Sequence, residues 1–442
     1  MTTYARRLGL FSATMAVVGG IIGGGIFRTP SAVAARVGSP GLALAAWVAG
    51  GVVAVAGALC FGELARRRPR AGGGYVYLRD AWGPLPAFLY GWALLLVIAT
   101  GAIAAVAVTF AGYALALAHL PDRFTTPVAI GAILLLAGVN YVGVKPGSIT
   151  VNVLTVLKLA ALAALIAAGL AIGLPPGSKA ASLPPPGSPL LALGAALVPV
   201  LFTYGGWQQT NFIAEEILSP ERTIPRALTI GVAIVVAVYL LANVVYLRVL
   251  GLDGLARSTA PAADTMRALL GPAGGTLIAA GIAASTLGFL NLVILVTPRV
   301  FQAMAADGVF FPRLAALHPR HRTPAAAILV QSAWASVLAA TGTFAQLVDY
   351  VSFADWIFFG LTVLGIYRLR AREGSGGIHT PGYPVTPALF VAAAALVVAS
   401  AVRANPGNAL MGTGLLLLGV PMYFWWRRPA RSATRLEESC EE

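Results

Sequence analysis

The stretch that decides the fold is Val18-Gly19-Gly20-Ile21-Ile22-Gly23-Gly24-Gly25-Ile26-Phe27, an apolar segment with five glycines in seven positions. Each glycine in a helix interior costs about 1 kcal/mol relative to alanine. A passive membrane anchor has no use for such a defect. Glycines that mediate helix packing recur every fourth residue on one face, whereas Gly23 to Gly25 are contiguous and point in all directions. The reading is an unwound helix, and unwound backbone at membrane depth persists only where it is buried in protein or lines a watery cavity. A second segment, Phe202-Thr203-Tyr204-Gly205-Gly206-Trp207, carries the same signature.

Composition supports a membrane setting for both. Hydrophobic residues make up 58% of the 442 positions and charged ones only 10%, against about 25% in a soluble domain. That excludes a soluble enzyme. Twelve apolar runs, from 8–27 to 407–426, are long enough to span at roughly 20 residues each. An even number of spans puts both termini on one side. The net charge of +14 is not a nucleic-acid signal: 21 of the 30 Lys and Arg fall on the side of the termini, and by the positive-inside rule that side is cytoplasmic. Arg6 and Arg7 before an apolar run imitate a secretory signal, but eleven further spans favour a retained helix in the cytoplasmic membrane. Cys60 and Cys440 offer no disulfide framework.

The breaks fall in the first and sixth spans, the arrangement of two five-helix repeats of inverted topology. Glycine-interrupted segments at corresponding places in two halves point to a transporter binding site. The expected organisation is a first repeat over 1–173, an extracellular linker over 174–189, a second repeat over 190–370, two further helices over 371–426 and a cytoplasmic tail over 427–442. The half-helix N-terminus at a break presents N–H groups to a carboxylate, and freed carbonyls on the other side suit an ammonium. One backbone site thus complements an amino acid without any charged side chain. No acidic residue lies near either glycine cluster in the sequence, which argues against a cationic substrate and for a neutral one.

At these residues the sequence resembles the amino acid-polyamine-organocation superfamily, and within it the L-type amino acid transporters and their bacterial relatives. Ile21 to Phe27 is similar to the family's Ile-Ile-Gly-Ser/Ala-Gly-Ile-Phe, and Phe202 to Trp207 to its Phe-Ala-Tyr-Gly-Gly-Trp. Glu215-Glu216, Ser219-Pro220 and Ile224-Pro225, then Asn291, Arg299, Asp307-Gly308, Pro312 and Thr323-Pro324, continue the match in order. The resemblance implies an all-α polytopic protein of twelve transmembrane helices with a LeuT-like 5+5 inverted repeat, working by alternating access. It implies a substrate site over Ile21, Ile22, Gly23, Gly24, Gly25 and Ile26 of the first break. Phe202, Thr203, Tyr204, Gly205, Gly206 and Trp207 complete it. The amides of Gly23 to Gly25 would hold the carboxylate. The carbonyls of Ile21, Phe202 and Gly205 would hold the amine, under Phe202 as an aromatic gate. Gly24 stands where the family has a serine, and Thr203 where an alanine is usual.

Lys158 is the charged residue deepest in an apolar run, and an ionisable group there is a functional hypothesis by default. The resemblance implies that it occupies the place of a sodium ion, touching the first break and a hydroxyl of the eighth span, for which Ser285 and Thr286 are candidates. Sodium independence follows; exchange, uniport and proton coupling stay open. Cationic amino acid or polyamine transport is the nearest alternative, and a non-transporting amino-acid sensor a more distant one. Glu63, Glu215 and Glu216, beside arginine-rich loops, are expected in ion pairs that hold the cytoplasmic side shut. Asp349 and Asp355 fall toward the outer half of the tenth span, with an outer gate or a hydrogen-bonded structural role as the alternatives. His119, His318, His321 and His379 lie in loops without metal-ligand spacing, so neither metal nor cofactor is expected. Trp207 and Trp356 are candidate pocket walls, and Trp425 and Trp426 at a helix end read as an interfacial belt. The expected partners are an amino acid and the lipid bilayer, not nucleic acid; no partner subunit can be inferred.

Overall fold

The computed structural model describes residues 3–172, 188–342, 344–374 and 376–426, with 344–353 described by backbone alone. The linker expected at 174–189 and the tail at 427–442 lie largely or wholly outside the described residues, as does the Asp349 side chain.

The described residues are helical, with no strand beyond an isolated bridge between Leu8 and Ile217. In chain order the helices are α1 (Leu10–Ile21), α2 (Thr29–Ala34), α3 (Pro40–Arg67), α4 (Gly74–Trp82), α5 (Pro84–Ala93), α6 (Ala99–Ala118), α7 (Thr125–Val142) and α8 (Val144–Ala171). After the linker come α9 (Pro189–Tyr204), α10 (Pro220–Arg257), α11 (Pro261–Val296), α12 (Pro298–Ala306), α13 (Ala325–Thr341), α14 (Phe344–Glu373), α15 (Val385–Ala404), α16 (Pro406–Leu417) and α17 (Gly419–Trp426). Among the described residues nine helical stretches are long and apolar enough to cross a membrane, and α1 and α13 are shorter apolar helices. The chain is a multi-pass membrane protein.

Local sequence sets the helix ends. Ser39-Pro40 and Ser188-Pro189 place a capping hydroxyl before a proline at the first helical position, and the Ser39 hydroxyl accepts from the Leu42 amide at 3.3 Å. Gly143, at φ +154°, separates α7 from α8. The outward faces of α7 and α8 expose Leu134, Leu135, Val153, Val156 and Leu157. In water that surface would be a liability; against lipid it is the required one. By contrast α1 is almost wholly buried from Ala13 to Ile21, as expected of a helix apolar all round. It runs between α8, α10 and α11.

Ion pairs gather at one end of the bundle. Glu216 and Arg299, both buried, form a two-point pair at 2.8 and 3.0 Å, and the Glu216 carbonyl accepts the amides of Arg7 and Leu8. Glu63 receives Arg67 at 2.9 Å, Arg370 at 2.5 and 2.8 Å and the Thr380 hydroxyl at 2.6 Å. Arg68 bridges Asp80 and Glu373, and Arg79 meets Asp307 at 2.6 Å. Burial and the Asp307 carboxylate push the Tyr75 hydroxyl above its usual range, so it remains the donor in its 2.8 Å bond to Asp307. Glu215 differs from its neighbours: its carboxylate takes the Ala71 amide rather than an arginine.

Of the two tryptophans at the end of α17, Trp426 is half-buried and packs among Phe88, Trp92, Phe310 and Phe311. Trp425 beside it is exposed. Adjacent residues on a helix diverge by about 100°, so one tryptophan of the pair packs against its neighbours while the other faces outward.

Candidate substrate site

α1 stops at Ile21 because the Gly23 amide turns back onto the Ile21 carbonyl at 2.9 Å instead of reaching Gly19. A short 3-10 turn, Gly25–Phe27, then leads into α2. α9 stops in the same way at Gly205-Gly206, with the Gly205 amide on the Phe202 carbonyl at 3.2 Å, and continues as the 3-10 segment Trp207–Glu216. The two breaks cross at backbone contact: a Cβ on Gly20 would lie 2.7 Å from the Gly206 carbonyl oxygen, and one on Gly206 would overlap the Gly20 carbonyl. Gly206 also sits at φ +110°, where only glycine is relaxed.

Side chains claim several of the carbonyls released by the first break. Lys158, fully buried about 21 Å along α8, donates from Nζ to Ile22 at 2.7 Å and Gly19 at 3.2 Å. Ser285 of α11 donates to Gly23 at 2.9 Å and Ile22 at 3.3 Å. Thr286, the other candidate hydroxyl, instead bonds carbonyls of its own helix, Ile282 and Ala283. Tyr239 of α10 reaches Ile21 at 3.1 Å and Thr203 at 3.4 Å, tying one break to the other. Sequence reasoning missed Tyr239; its signal was a tyrosine in an apolar run, whose hydroxyl needs a partner when buried. Tyr239→Phe is expected to cost about 1 kcal/mol and to weaken substrate binding several-fold. An unchanged melting temperature together with an unchanged binding constant would show the tie to be incidental.

A cavity of about 320 Å³ lies against the crossing, the size of a small-molecule site. It is lined by Ile21, Gly23, Gly24, Gly25, Phe202, Thr203, Gly205 and Gly206 from the expected set. Ile22, Ile26, Tyr204 and Trp207 do not line it. The Tyr204 hydroxyl goes to the Trp47 carbonyl, and Trp207 packs between Phe61 and Phe390. Phe202 is 41% exposed and meets Trp356 edge-on across 6.1 Å. At Gly24 a Cβ would meet nothing within 4 Å, so the departure from serine opens space. Among the described residues the Gly24 amide donates to no protein acceptor. The Thr203 hydroxyl is spent on Pro199 and Thr29, at 2.8 and 2.9 Å.

The remaining wall overturns one sequence reading. Asp355 and Trp356 of α14 line the same cavity, as do Gln208 and Gln209. An acid absent from the neighbourhood of the glycines in sequence is therefore present beside them in space. Asp355 is thus a wall residue of the cavity.

The family description that matches this chain, over residues 8–423, is that of an amino acid permease. The chain belongs to the amino acid permease family. Over 96% of its length the permease is 34% identical to the human protein named b(0,+)-type amino acid transporter 1, of which 88% is covered. It is 32% identical, over the same share, to the human large neutral amino acids transporter small subunit 2, covering 82% of it. These relatives are transporters, not enzymes. Among the described residues of the permease no group of three or more His, Cys, Asp and Glu is placed to hold a metal.

Proposed function

We propose that the permease carries L-amino acids across the cytoplasmic membrane by alternating access, without sodium. The observation that carries this reading is the crossing of two interrupted helices, backbone against backbone, on the wall of a cavity of amino-acid size. The α-carboxylate would sit at the free Gly24 amide at the start of the second half-helix. The α-ammonium would face the carbonyl side of the breaks. Nζ of Lys158, with Ser285, satisfies the carbonyls on which a bound cation would otherwise be held. The printed names of the human relatives support an amino acid as the substrate.

The architecture that goes with this reading has twelve crossings. α1 with α2, α13 and α14 add to the nine long apolar stretches. The first five and the second five form inverted repeats over 1–173 and 190–370, with two helices over 371–426 outside them. The basic residues put both termini in the cytoplasm, and the buried ion pairs of Glu216 and Glu63 then close the cytoplasmic end. The preference for a neutral substrate rested on the want of an acid, and Asp355 removes that ground.

Purified permease in liposomes should take up labelled amino acid equally in sodium and potassium buffers, and faster when unlabelled amino acid is enclosed. Failure to bind or move any of the twenty amino acids would refute the reading. Uptake that required sodium would refute the role given to Lys158.

A further inference from the structure

Asp355 sits near the middle of α14, on the cavity wall, and is the charged side chain among the lining residues. Among the described residues its carboxylate takes no hydrogen bond and forms no ion pair. The buried cation Lys158 is engaged elsewhere, with Nζ on the carbonyls of Gly19 and Ile22. A second acceptor on the same wall is also unspent: Oε1 of Gln209 is buried without a donor. Around them stand the rings of Phe202, Phe289, Trp356 and Phe359. The cavity is thus rich in acceptors and π-faces and supplies no cationic side chain.

Such a lining fits one class of amino acid better than the rest. With a neutral side chain, the ammonium and carboxylate of the substrate are matched at the breaks and the Asp355 carboxylate is left uncompensated at membrane depth, where an unpaired charge is costly. An ammonium or guanidinium on the side chain would cancel it, donate to it and to Gln209, and rest against aromatic rings that attract cations. Building on the transport reading above, we propose that the permease selects amino acids with a cationic side chain. Asp355 pairs with that cation, and Gln209 is a second acceptor.

The test compares ligands of one shape and different charge. For the wild-type protein in nanodiscs, arginine should bind at least tenfold more tightly than citrulline, whose neutral urea replaces the guanidinium, and lysine more tightly than norleucine. Asp355→Asn should bring the arginine-to-citrulline ratio close to one, while Asp355→Glu keeps arginine ahead. Equal binding of charged and neutral partners by the wild type would overturn the proposal, and needs no variant to fold. So would an arginine preference that survives in Asp355→Asn. If neither these four ligands nor leucine bound, the transport reading would fall with it; leucine bound as well as arginine would overturn the selectivity alone.

Discussion

Lys158→Ala is expected to abolish transport and to lower the stability of the permease by about 4 kcal/mol. Two losses combine. The buried alkyl stem vanishes, and truncating a long buried side chain to alanine costs about 2–5 kcal/mol. The Gly19 carbonyl, already abandoned by the Gly23 amide, loses the donor at 3.2 Å, and an orphaned buried acceptor costs about 1–3 kcal/mol more. The Ile22 carbonyl keeps Ser285 and suffers less. Lys158→Met restores the stem without the donor, so it should recover most of the stability and none of the transport. A lysine that merely reached for an interface would give an alanine variant close to wild type in both thermal unfolding and liposome uptake.

Gly206→Ala should be nearly as damaging through the backbone alone. A residue other than glycine at φ +110° carries strain of about 1–2 kcal/mol. Its methyl would run into the Gly20 carbonyl, and forcing extra volume into a packed contact adds about 1–3 kcal/mol. The breaks must part to admit it, which moves the carbonyls of Ile21 and Thr203 away from Tyr239. Loss of uptake and a melting temperature lowered by several degrees are the expected result. Gly24→Ala is the control. Its backbone is ordinary, at φ −87°, and a Cβ there meets nothing, so the variant should be as stable as wild type or up to about 0.5 kcal/mol more so. Comparable destabilisation by both substitutions would show that glycine is needed at both positions for flexibility and not for close approach.

Much of this was legible because the bilayer leaves few choices. Apolar runs of sufficient length must be helices, since an unpaired peptide group has no water to turn to. For the same reason a cluster of glycines in such a run announces a break. Lys158 was legible as a buried ionisable group that had to serve some purpose, and the family resemblance, not the residues alone, pointed it at the first break. The sequence could not say which of two adjacent hydroxyls would join it. Ser285 and Thr286 differ by one step around α11, and only the packing of that helix turns the first toward the break and the second back onto its own carbonyls.

Asp355 and Tyr239 mark where reading along the chain ended. Neither is near a glycine cluster in sequence, and hydrophobic periodicity carries no information on which helix faces which. The sequence by itself determined the helices, the two interruptions and the presence of one lysine deep among them, because these follow from local propensity and from the cost of bare polar groups in lipid. The tertiary structure decided what the interruptions face. A cavity wall is assembled from segments more than a hundred residues apart, and an acid absent from the substrate's neighbourhood along the chain can still lie within its reach in space.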